Sequence, residues 1–142
     1  MFYDVPSNTN GKMSQRVYID QILKPVVKPW LEAGHDFVLE EDGDSGHGPS
    51  RKHNIVKAWK KENKLESYFN CASSPGLAPI ENCWLPPKQH LNKYPHWDDA
   101  TTKELILEGW GQVSQDFINE RVLSMLERLR NVIERKGYMV GH

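Results

Sequence analysis

At 142 residues the chain is long enough for one domain with a modest hydrophobic core and too short for two of ordinary size. Eighteen Lys and Arg against nineteen Asp and Glu leave a formal charge of -1, which excludes a global positive field, so contact with a polyanion would need a local basic patch. Cys71 and Cys83 have neither paired metal-ligand spacing nor a small secreted frame, and no apolar run is long enough for a bilayer or a secretion signal; a soluble intracellular chain with reduced thiols is expected.

In chain order, Phe2, Tyr3 and Val5 read as a short strand and residues 7–11 as a turn, an abrupt start that suggests a cut domain. Ser14 is placed to cap a helix carrying Val17, Ile19, Ile22, Leu23, Val26, Val27 and Trp30, and Pro25, with no backbone donor, is expected to kink or stop it. Beyond Gly34, residues 36–42 predict a short apolar strand that runs into acids and a glycine-rich loop. Ser50 is expected to open a helix to about Lys64 bearing Ile55, Val56 and Trp59. Its basic side chains, Arg51, Lys52, Lys57, Lys60, Lys61 and Lys64, make it the most positive stretch. Residues 65–69 read as a second strand.

After a loop over 70–78, Pro79 suits the first position of a helix with Ile80, Cys83 and Trp84 on one buried face, which Pro86 and Pro87 should interrupt. A helix over 101–110 is expected to break around Gly109 and Gly111. One long helix over 114–136 follows, with Phe117, Ile118, Val122, Met125, Leu129, Val132 and Ile133 on one stripe and Gly137 closing it. Trp30, Trp59, Trp84, Trp97 and Trp110 are expected in or near the core. The order helix, strand, helix, strand, helices is an α/β pattern, a small sheet flanked by helices with a helical C-terminal tail.

Two stretches carry chemistry. The first, Glu41-Asp42-Gly43-Asp44-Ser45-Gly46-His47, follows the predicted strand directly and resembles the Q-D-N-x-x-x-H stretch of mariner-type DDE transposases, which holds their second catalytic aspartate. The second, from Ser74 through Pro75, Gly76, Leu77, Ala78, Pro79, Ile80, Glu81, Asn82 and Cys83 to Trp84, is similar to that family's S-P-D-L-N-P-I-E-N-x-W, which holds the third catalytic acid. Read locally, Asp42 is also an acid in a solvated turn, Glu81 a residue favoured by the helix dipole, His47 a turn histidine bonded to backbone, and the lysines a solvated face.

The resemblance implies an incomplete RNase H-like fold over 14–93 followed by a helical tail over 94–142, the whole forming a single truncated endonuclease domain. It implies that Asp42 and Glu81 are catalytic carboxylates that ligate Mg²⁺ or Mn²⁺, since hard oxygen donors suit such ions. Paired divalent ions would serve cleavage and strand transfer at a DNA phosphodiester. His47, Arg51, Lys52 and Lys57 are the expected nucleic-acid contacts, DNA the partner, the nucleus the location, and a homodimer an open possibility.

The chain departs from the family pattern in three ways. Asp4, the only acid before the first predicted helix, sits in no matching context, so the first catalytic aspartate is missing and cleavage by this chain alone is not expected. Gly76 and Ala78 replace Asp and Asn, and if Ala78 precedes the helix its lost cap costs about 0.5–2 kcal/mol. Leu126 stands where a proline often follows Ser-Met, which favours fusion of two tail helices. The missing strands are also expected to leave a sheet edge exposed. An active transposase completed by upstream sequence or a partner chain, and a non-catalytic interaction module using the tail, are the competing readings.

Overall fold

The computed structural model describes residues 11–48, 53–71 and 74–137. The expected strand at 2–5, and the positions Ser50, Arg51 and Lys52, lie outside them. The described residues fall into two compact units, one on either side of the junction at 72–73.

The first unit is mixed α/β. Ser14 caps its opening helix as expected, its hydroxyl accepting from the Val17 N–H at 3.2 Å. Helix α1 (Gln15–Tyr18) runs without a gap into a π-helical stretch, Ile19–Val27, and then into α2 (Lys28–Glu32). Of the kink or stop expected at Pro25, the stop does not occur: the turns widen instead, and the Lys28 N–H bonds to the Leu23 carbonyl five residues back. Widening relieves the clash between a proline ring and the carbonyl four residues earlier, and it absorbs the missing donor. It also lets every fourth residue face inward, so Ile19, Leu23 and Val27 are all buried beside Tyr18.

These four side chains pack with Val56 and Leu65, and Leu39 and Trp59 close the periphery. Leu23 and Val56 are wholly buried, each contributing about 1.5–3 kcal/mol relative to exposure. Strand β1 (Leu39–Glu41), helix α3 (Ile55–Glu62) and strand β2 (Ser67–Phe69) form a strand-helix-strand crossover. The two strands pair in parallel, Leu39 opposite Ser67, Glu40 opposite Tyr68 and Glu41 opposite Phe69. Both are shorter than the apolar runs that predicted them. Helix α3 also starts later, capped by Asn54, whose side chain accepts from the Lys57 N–H at 2.8 Å.

The second unit is helical. A 3-10 turn, Pro75–Leu77, leads to α4 (Pro79–Cys83), α5 (Leu85–Leu91), α6 (Asp99–Gly111), α7 (Gln115–Leu123) and α8 (Met125–Glu134). As expected, the helix that begins at Pro79 is interrupted ahead of Pro86 and Pro87, ending at Cys83; the two prolines then occupy the first turn of α5, where backbone N–H groups have no helical partner anyway. Helix α6 runs through Gly109 and ends at Gly111, within the break expected around these two glycines. A side chain at Gly109 would lie 2.8 Å from the Pro87 Cα and 2.9 Å from the His90 Cβ, so the glycine is what lets α5 and α6 approach closely. The crossing is further tied by His90, whose Nε2 lies 3.2 Å from Glu108 Oε2 while its Nδ1 faces the Gln112 amide at 3.3 Å. A carboxylate only accepts and an amide nitrogen only donates, which selects the imidazole form protonated at Nε2.

Tail fusion is nearly but not wholly realised. Ser124 separates α7 from α8 at ψ -14°, and its hydroxyl donates to the Arg121 carbonyl at 2.8 Å, competing with the helical ladder. The ladder nevertheless carries across, from Ser124 N–H to the Glu120 carbonyl and from Arg128 N–H to the Ser124 carbonyl, both 3.0 Å. Of the tryptophans, Trp59 and Trp110 are half-buried, as expected near a core, and the tilted rings of Trp84 and Trp110 lie 5.0 Å apart between centroids. Trp30, Trp84 and Trp97 do not follow that expectation, being 51%, 36% and 93% exposed, and of the face expected to be buried on α4 only Cys83 is, Ile80 being 49% exposed.

Candidate functional site

Asp42 leaves the carboxyl end of β1, and its side chain is 75% exposed. Its Oδ1 accepts from the Asp44 N–H at 3.0 Å and lies 2.7 Å from His47 Nδ1. Asp44 continues the turn by accepting from the Gly46 N–H at 2.7 Å, and its carbonyl accepts from the His47 N–H at 3.0 Å. The loop closes at Gly48, with φ +75°, where the Asn54 side chain comes so near that a Cβ would collide with it. Asn54 thus both caps α3 and, through its amide, holds the Gly48 carbonyl. The motif loop is pinned to the helix that follows it.

Behind Asp42 lies a buried polar cluster that the sequence reading missed. Glu41, the last residue of β1, is buried and pairs with the Lys60 ammonium. The Tyr18 hydroxyl donates to Glu41 Oε1 at 2.6 Å, and Lys60 also donates to Ser67 Oγ at 3.0 Å. Burial, then the hydrogen bond to Glu41, then the charges of Glu41 and Asp42 hold the Tyr18 hydroxyl protonated well above the usual tyrosine range. Lys60 is therefore no part of an exposed basic face, which corrects the expectation from the lysine run. A signal was present: Lys60 lies four residues after Val56 and shares its inward face. Lys57, Lys61 and Lys64 do remain exposed.

Glu81 belongs to the other unit. It is the third residue of α4, exposed to solvent, where the N-terminal end of a helix favours a negative charge. Ala78 is the residue before α4 and offers no side-chain cap, as its identity implied. A second support was not foreseen: from α8, Arg128 donates to the Gly76 carbonyl at 3.1 Å and to Asn82 Oδ1 at 3.0 Å. One guanidinium thus spans the motif on both sides of the uncapped helix start.

As oxygen donors both carboxylates have the chemistry a hard divalent ion takes: each is exposed and sits on a hydrogen-bonded turn or near a helix start. Among the described residues, no group of three or more His, Cys, Asp or Glu side chains is gathered to hold a metal. Nor is any helix among them long and apolar enough to cross a membrane.

No family model matches the chain. It is 30% identical over 131 residues to the transposase of the transposable element Tcb1 from Caenorhabditis briggsae, a match covering 90% of this chain and 46% of that protein. A match that long within 142 residues necessarily includes both motif stretches, and the chain spans about half the length of the curated relative it matches. The chain is transposase-related, of mariner-type origin.

Proposed function

We propose that the chain is a portion of a transposase-derived DDE endonuclease, an incomplete RNase H-like fold in which Asp42 and Glu81 are the metal-ligating acids. The observation that carries this reading is Asp42 itself: an exposed carboxylate at the carboxyl end of a parallel strand, in a loop fixed by its own hydrogen bonds, within a motif shared in kind with mariner-type transposases. Bound Mg²⁺ or Mn²⁺ would polarise the phosphodiester and activate the attacking oxygen. The chain's own part is to present the two acids, to hold Asp42 through His47, and to neutralise DNA phosphates with Lys57 and neighbouring basic side chains, Arg51 and Lys52 among them. DNA is the partner and the nucleus the place of action on this reading.

Without the first aspartate, this chain by itself does not cleave. Purified protein incubated with a nicked or intact DNA duplex and Mg²⁺ or Mn²⁺ tests this directly. Metal-dependent nicking that disappears in Asp42→Ala or Glu81→Ala would overturn the inactivity. A second reading is an active enzyme completed by further sequence or a partner chain. That second reading is favoured by the 46% coverage of the longer relative.

A further inference from the structure

We propose that Tyr18 is a positioning residue for Asp42, acting through both of that residue's neighbours in the loop; this rests on the reading of Asp42 as a metal ligand. Tyr18 is buried on the opening helix, 23 positions before Glu41, yet it touches the motif twice. Its hydroxyl donates to Glu41, the residue immediately before Asp42, and fixes the end of β1 from which Asp42 departs. Its ring lies 4.5 Å from the His47 ring at an interplanar angle of 53°, and His47 is the side chain that bonds Asp42 Oδ1.

The two contacts restrain different things. The hydroxyl sets the backbone, because Glu41 is simultaneously held by Lys60, and Lys60 by Ser67 on β2, so the strand end is tied to two helices and to its partner strand. The ring restrains the imidazole, because His47 has the tilted tyrosine ring against it and a carboxylate at its edge. A carboxylate that is 75% exposed has no packing of its own to choose its rotamer. The Asp44 N–H and His47 supply that choice, and the Tyr18 contacts hold His47 and the strand end in place from inside the core. Outer partners of this kind typically set metal affinity by about 10–100-fold.

The test uses the full chain and Mn²⁺ alone as probe, with affinity read from the free-ion electron paramagnetic resonance signal. Tyr18→Phe keeps the ring and removes only the hydroxyl, while Asp42→Ala removes the proposed ligand. The expected result is binding by the unsubstituted chain, loss in Asp42→Ala, and affinity lowered roughly tenfold in Tyr18→Phe with an unchanged circular dichroism spectrum. A purely structural tyrosine would lower the melting temperature and leave the affinity of the folded protein where it was. Equal affinity of Tyr18→Phe and the unsubstituted chain overturns the positioning role while leaving Asp42 a ligand. Undiminished binding in Asp42→Ala overturns the ligand reading and the positioning role together. If Tyr18→Phe does not fold, His47→Phe probes the same relay from its exposed end, and unchanged Mn²⁺ affinity there also overturns the proposal.

Discussion

Lys60 and Glu41 form an ion pair inside the first unit, their side chains 9% and 2% exposed. Taking two such charges out of water costs several kcal/mol each, so the pair stabilises little over an apolar one but is expensive to break. Lys60→Met is expected to destabilise the first unit by about 3–5 kcal/mol in urea unfolding, because it strands the Glu41 carboxylate. Adding Glu41→Gln to it should recover most of that loss, since a glutamine side chain still accepts from Tyr18 without carrying charge. A double variant no better than Lys60→Met alone would show that the charge is not the source of the loss.

Stability should also fall at high pH for a reason traceable to one hydroxyl. Tyr18 is held protonated in the folded chain above its ordinary value near 10, chiefly by burial and then by Glu41. Its contribution is therefore complete below about pH 10 and declines as pH rises further, because the unfolded chain releases that proton and the folded chain does not. Urea midpoints measured from pH 8 to 11 should drop, with a shallower slope in Tyr18→Phe; identical slopes would contradict this. On the acid side, Asp98 is lowered by the Thr101 backbone N–H and then its hydroxyl, and its cap on α6 is present above about pH 4 and lost below it.

At the α5–α6 crossing, Gly109→Ala would place a methyl within 3 Å of backbone at Pro87. Overpacking of this kind typically costs about 1–3 kcal/mol, more than alanine's better helix propensity returns. A rise in melting temperature for Gly109→Ala would show that the helices separate freely.

Arg128 makes a local prediction. Arg128→Lys keeps the charge but cannot bridge the Gly76 carbonyl and Asn82 together, and Arg128→Ala removes both bonds. Amides of α4 should exchange with deuterium faster in both variants, and global stability should fall by about 1–3 kcal/mol in Arg128→Ala. Unaltered exchange over residues 79–84 would mean that α4 holds its start without the clamp.

How far the sequence reached depended on whether a residue's role was local. Ser14 and Ser114 were readable as helix starts because a cap is set by the three residues that follow it, and both make that bond. Pro86, Pro87 and Gly111 marked helix ends correctly, but further roles were not legible: the prolines also begin α5 and Gly109 admits a neighbouring helix, which only the packing partner decides. Pro25 could be expected to kink or stop its helix, but not which, because a widened turn absorbs its cost. Asp42 and Glu81 were found through motifs. Their supports, Tyr18, Lys60 and Arg128, are distant in sequence and ordinary in type, so nothing short of the fold singles them out.

The most direct test of the central claim, that Asp42 and Glu81 are metal-ligating acids, is the Mn²⁺ affinity of the full chain beside that of each single variant. Asp42→Ala and Glu81→Ala are each expected to weaken binding by more than about tenfold. Unchanged affinity in either variant would contradict it.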